Sequence, residues 1–211
     1  MPFFIIKQEF IINIKNLGNL MQSLIFLLIT TSIFAITTSN DNPTIAFAII
    51  WICLVFAILL ACNQLQRDFD DGTFEQLYLS GYIFELIILV KIISNWLFAA
   101  LPLIIILPIV AIFLKIPSDL ILNLFLVALL SSFLISFLAN FGSSLILSAK
   151  SNSALLSILV LPLLIPVVIF SNCALGQEPL VPIKLLLAIT IFLLPVLTFA
   201  TAASVRIHLI D

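Results

Sequence analysis

Charged residues along this chain leave six long gaps, at 16–40, 42–66, 92–114, 120–149, 151–177 and 185–205. Ile, Leu, Phe, Val and Ala fill most of each gap. A helix rises about 1.5 Å per residue, so about 30 Å of hydrocarbon takes roughly 20 apolar residues. All six gaps reach that length, and the pattern predicts six transmembrane helices. The longest gap, 120–149, reads as one tilted or extended helix. Residues 1–18 follow a different pattern. Phe3, Ile6, Phe10, Ile14 and Leu17 recur at helical spacing, with Lys7, Glu9, Asn13 and Lys15 elsewhere around the wheel. This predicts an amphipathic helix lying in the membrane interface. A cleaved signal peptide is the competing reading, against which stand the missing basic n-region and small-residue cleavage site.

The basic residues orient the spans. With the N-terminus in the cytoplasm, Lys7, Lys15, Arg67, Lys91, Lys150 and Arg206 fall inside, and Lys115 and Lys184 outside. That bias predicts both termini on the cytoplasmic side. Composition agrees with a membrane protein. Hydrophobic residues make up 64% of the chain and charged residues 9%, against about 25% charged in a soluble domain. The whole chain, 1–211, reads as a single transmembrane domain.

Little chemistry is written into the sequence. A net charge of −2 leaves no basic patch for a nucleic-acid partner. Cys53, Cys62 and Cys173 form no CxxC and read as small apolar fillers, and His208 has no ligand nearby in sequence. The five glycines cannot build a phosphate loop, and no GxSxG or HExxH occurs. No catalytic residue and no metal site is expected, and any ATP hydrolysis belongs to another chain.

Within the gaps, two features stand out. Pro102, Pro108, Pro162, Pro166 and Pro195 fall inside spans, where each removes a backbone donor. Pro162 and Pro166 are read as a hinge, with static shaping of the bundle as the alternative. Ser132, Ser136, Asn140, Ser144 and Ser148 lie four residues apart and make one slanted ridge. Small polar residues of this kind pack membrane helices closely. A wall facing a substrate or partner subunit is the alternative. The threonines of the first span, Thr30, Thr31, Thr37 and Thr38, are less ordered. No ionisable residue lies deep in a gap. Lys91, just before the third, is expected to snorkel to the interface. Without buried charge, and without an obvious internal repeat, an ion-coupled transporter is disfavoured.

The most polar segment separates the second and third gaps. It runs Arg67, Asp68, Phe69, Asp70, Asp71, Gly72, Thr73, Phe74, Glu75, Gln76, Leu77, Tyr78. Asp71-Gly72 signals a turn, and Thr73 with Gln76 fits a capping box that would start a short helix. Glu75 in its first turn suits the helix dipole. Phe74, Leu77 and Tyr78 then share one face, at a spacing suited to docking into a protein groove. A solvated acidic loop is the alternative.

At this segment the sequence resembles the CcmB family, membrane subunits of the cytochrome c maturation ABC transporter. The resemblance rests on RDFDDGTFEQLYLS at 67–80, SILVLPLLIPVVIF at 157–170 and FATAASVRI at 199–207. It implies an all-α, ABC-2-type exporter-like bundle in a bacterial inner membrane, or a mitochondrial one if organelle-encoded. It also implies four kinds of protein partner: an ATP-binding subunit, a second copy of this chain, a tryptophan-rich haem-handling subunit and a small helper. The segment 67–80 would be the coupling helix receiving the ATPase stroke, with Asp68, Asp71, Gly72, Thr73, Phe74, Glu75, Gln76, Leu77 and Tyr78 as its partner-binding residues. The N-terminal helix would be an elbow helix.

In such complexes ATP hydrolysis is linked to release of a haem-loaded chaperone, and haem is the candidate cargo. A haem ligand set is not apparent in this chain. Cys53 and Cys62 are ligand-type residues within the gaps, and Trp51 and Trp96 are isolated. The expectation is a chain that transmits motion and binds no cofactor itself. A non-transporting assembly scaffold and a general lipid or drug exporter subunit are the alternatives.

Overall fold

The computed structural model describes residues 17–37, 43–62, 64–79, 81, 83–147, 153–176 and 180–210. The expected interfacial helix lies outside these residues, apart from its last two positions. The described residues are helical, with no strand among them. In chain order they form α1 (Leu17–Thr37), α2 (Pro43–Ala61), α3 (Gln64–Asp70), α4 (Thr73–Leu79), α5 (Phe84–Asn95) and α6 (Leu101–Phe113). They continue as α7 (Ser118–Leu145), α8 (Ser153–Cys173) and α9 (Leu180–Ile210). A π-helical turn, Trp96–Ala100, joins α5 and α6 into one rod.

Among the described residues, five helical stretches are long and apolar enough to cross a membrane: Gly18–Thr37, Pro43–Asp70, Phe84–Phe113, Ser118–Leu145 and Leu180–Leu209. The remaining gap, 151–177, becomes α8, 21 residues long. Its apolar stretch with described side chains, Val160–Cys173, is shorter than a span. The chain is an all-α membrane protein.

The third span starts earlier than the charge pattern predicts, at Phe84 rather than 92, which takes Glu85 and Lys91 into the helix. The last span likewise extends beyond 185–205 and includes Lys184 and Arg206. Charge ends a membrane helix only if it must reach water. Lys91, Glu85 and Arg206 have carboxylate or guanidinium partners inside the protein.

The π turn has a local cause. Pro102 has no N–H, and its ring would crowd the preceding turn of a regular helix. One extra residue widens that turn, so the Leu101 N–H bonds to the Trp96 carbonyl.

Helix α7 is the centre of the bundle, packed against α2, α3, α5, α6, α8 and α9, while α1 lies outside against α2 and α6. Sequence explains this choice. Ser131, Ser132, Ser136, Asn140, Gly142, Ser143 and Ser144 are all buried, and their small side chains let several neighbours approach. In α1 the hydroxyls instead turn back on their own helix. Thr31 donates to the Leu27 carbonyl at 2.7 Å, Ser32 to Leu28 at 2.6 Å, and Thr30 to Phe26. They mark no site.

Candidate functional site

The polar segment folds into two short helices. In α3 the chain runs to Asp70. The Asp71 N–H then bonds to the Arg67 carbonyl at 2.8 Å, and the Gly72 N–H to Phe69 at 3.0 Å. Gly72 takes φ = 68°, a left-handed conformation that glycine adopts without Cβ strain. Nothing lies within 4 Å of a Cβ built there. Gly72→Ala is therefore expected to cost about 1 kcal/mol through the backbone alone. Gly72→Asn should cost less, and thermal unfolding in detergent would rank the two.

α4 begins at Thr73, but not by a capping box. The Gln76 N–H points to the Gly72 carbonyl at 3.4 Å, which puts Gly72 at the cap and Thr73 in the first turn.

The residues expected on one docking face divide between inside and outside. Phe74 is fully buried. Its ring meets Phe84 of α5 edge-on, with centroids 6.3 Å apart, and Tyr78 meets the same ring at 5.7 Å. Asp68 is also buried and accepts Lys91 Nζ at 2.6 Å. The same ammonium lies 5.2 Å from the centre of the Phe74 ring.

One expectation is corrected here. Lys91 does not snorkel, because a carboxylate and a ring face inside the protein hold its charge, and it is 2% exposed. Phe74 is covered by α5 and has no exposed surface. The apolar spacing of Phe74 was a true signal of a covered face, and the cover belongs to the same chain.

A second ion pair closes the far side of the site. Arg206 of α9 donates to Glu85 at 2.8 Å and stands 5.8 Å above Phe84. It is part-exposed, so screening by solvent leaves it weaker than the buried pair. His208 bonds the Ser204 carbonyl through Nδ1 at 2.8 Å and meets Phe69 edge-on at 6.3 Å.

What remains outside is an acidic surface with an apolar edge. Asp70, Asp71, Glu75 and Gln76 are exposed, Tyr78 is 43% exposed, and Leu79 is 83% exposed. Gly72, Thr73 and Leu77 are half-buried. Sequence reading missed Asp70 and Leu79. Leu79 could have been found as an apolar residue displaced from the face that Phe74, Leu77 and Tyr78 share.

Four members of the α7 ridge make hydrogen bonds within the chain. Ser132 Oγ accepts the Trp96 indole N–H at 3.1 Å, and Asn140 Oδ1 accepts from Asn95 Nδ2 at 3.0 Å. Asn140 also donates to the Ser136 carbonyl at 2.7 Å. The Ser144 carbonyl accepts from Ser204 Oγ at 2.8 Å. Ser148 lies outside the described residues. Pro162 and Pro166 sit on the exposed face of α8. Beside them, a cavity of about 180 Å³ lies between α2 and α8, lined by apolar side chains including Val55, Phe56, Leu164 and Val168. It offers no polar group to orient a ligand. No group of three or more His, Cys, Asp or Glu able to hold a metal occurs among the described residues.

The sequence profile of the CcmB family, described as CcmB protein, matches residues 1–208. This chain belongs to the CcmB family. Similar proteins include heme exporter protein B of Haemophilus influenzae, 33% identical over 97% of each chain. Heme exporter protein B of Pseudomonas aeruginosa is 32% identical over 90% of this chain and 89% of its own. That of Escherichia coli K12 is 33% identical over 97% of each. In this CcmB chain, then, the acidic α3–α4 segment and the α7 ridge both lie within the residues that the family profile matches.

Proposed function

We propose that this chain is the membrane permease subunit of an ABC transporter complex for c-type cytochrome biogenesis in a bacterial inner membrane. It serves haem export or ATP-driven release of a haem-loaded chaperone. ATP is hydrolysed by a partner subunit, and the α3–α4 segment receives its stroke on the cytoplasmic side, with both termini on that side. A second copy of the chain, a tryptophan-rich haem-handling subunit and a small helper complete the complex. Haem is cargo of the complex and is not ligated here. Pro162 and Pro166 give α8 a place to bend, since each removes one backbone hydrogen bond from a helix that must rearrange.

One observation carries this reading: the surface left uncovered on the α3–α4 segment. A leucine that is 83% exposed ends a seven-residue helix, with exposed Glu75 one turn before it and exposed Asp70 and Asp71 ahead of the helix start, so the segment pairs an apolar tip with acidic surface. The fitting partner is a protein groove with an apolar floor and basic edges. A lipid surface fits poorly, because anionic headgroups repel the acids.

Leu79→Asp tests the reading, because it leaves the buried Phe74 and Asp68 in place. We expect normal membrane insertion, with the ATP-binding subunit no longer co-purifying from detergent. Cytochrome c assembly should fall with it. Full co-purification with normal assembly would remove the coupling assignment.

A further inference from the structure

We infer that Lys91 is a positioning residue for coupling, handing displacement of the α3–α4 segment to a buried polar line that crosses three long helices. The inference rests on the proposed function, in which that segment receives the stroke of a partner ATPase.

The line is built in one-turn steps. Asp68 in the last turn of α3 holds Lys91 of α5 at 2.6 Å. One turn further along α5, Asn95 donates to Asn140 of α7 at 3.0 Å. One turn along α7, the Ser144 carbonyl accepts from Ser204 of α9 at 2.8 Å. In the other direction along α7, Ser136 Oγ lies 3.8 Å from the Cys62 sulfur, and on the Ser144 side of Asn140 the Ser143 Oγ donates to the Cys62 carbonyl at 3.5 Å. Cys62 stands where α2 ends and the chain leads into α3. Asp68, Lys91, Asn95, Ser136, Asn140, Ser143, Ser144 and Ser204 are all buried. The line therefore leaves the short helices, passes through α5, α7 and α9, and returns to the end of α2.

Its polar character is what lets it transmit. Apolar contacts between membrane helices differ little from contacts with lipid tails, so one can replace another as helices slide. A buried charge pair cannot slide without leaving a charge unpaired, and a buried amide pair resists in the same way. Lys91 also touches both short helices, Asp68 of α3 by its charge and Phe74 of α4 by the ring face. A displacement of either reaches α5 through one side chain. α1 contributes no side chain to the line and packs at the rim.

The test uses the intact complex with its ATPase subunit, reading cytochrome c formed per ATP hydrolysed. The double variant Asp68→Asn/Lys91→Met removes both charges and leaves neither buried alone. We expect it to accumulate and to co-purify with the ATPase as the parent does. The ratio should fall about tenfold, within the range by which residues along a coupled network act. The reversed pair Asp68→Lys/Lys91→Asp should recover the ratio to within about twofold. A merely structural role would move abundance and leave the ratio alone.

Should the neutral pair fail to accumulate, Asn95→Leu/Asn140→Leu replaces the middle hydrogen bond by apolar contact, and it must lower the ratio at normal abundance. A parental ratio in either abundant double variant overturns the inference. Failure of both to accumulate assigns the line to folding and overturns it too. If Leu79→Asp leaves the ATPase attached and assembly normal, the proposed function fails and carries this inference with it. If Leu79→Asp detaches the ATPase and the neutral pair keeps the parental ratio, this inference falls alone.

Discussion

Asp68→Ala is expected to destabilise the protein by about 3–5 kcal/mol, the cost of leaving a buried charge without its partner. Lys91 is 2% exposed and its ammonium sits 2.6 Å from the Asp68 carboxylate. Removing the acid leaves the lysine two choices, to shed its proton or to drag the helix toward water, and both cost free energy. Thermal unfolding of the purified protein in detergent would show the loss. Adding Lys91→Met to the same variant should recover most of it, because a methionine of similar length needs no partner. If Asp68→Ala unfolds together with the parent, Lys91 is not held inside the bundle as described.

Phe74→Ala should cost a comparable amount, about 3–5 kcal/mol, by emptying a packed site. The ring is fully buried, edge-on to Phe84 and beneath the Lys91 ammonium. This separates two roles that sequence alone confounds. A ring that serves a partner would, when lost, weaken association and leave the isolated chain as stable as before. A ring that serves its own fold lowers stability of the isolated chain. We expect the second, measured by unfolding of the chain without its partners, and Phe74→Leu should lose far less because most of the volume is kept.

These two residues also show what could be read from the sequence. Charge-free gaps found the long helices, because hydrocarbon tolerates few charges and the gaps are long. They misplaced the start of the third, because Glu85 and Lys91 are paired within the protein and need not mark its edge. The turn at Asp71-Gly72 and the short helix after it were legible from local chemistry. Which side of that helix faces outward was not. Spacing of Phe74, Leu77 and Tyr78 says that something covers them, and α5, which provides the cover for Phe74, follows it along the chain. The four-residue ridge of α7 was legible as one row of small polar residues. Its pairing with Asn95, Trp96 and Ser204 depends on three-dimensional neighbours that no periodicity encodes.

The two ion pairs also set an order of events during synthesis. A lysine inside a membrane helix opposes insertion by about 2.5–3.5 kcal/mol at the helix centre, and less toward its ends. Asp68 precedes Lys91 by 23 residues. When the third span leaves the ribosome its neutralising acid has already been made, and the two can enter as a matched hairpin. Glu85 has no such advantage. Its partner Arg206 comes 121 residues later, near the end of the third long helix that follows. The acid must wait at the membrane edge, where it remains part-exposed in the finished protein. Helix α9 thus supplies the arginine that fastens the site around Phe84, and the site is complete only once that helix has been made.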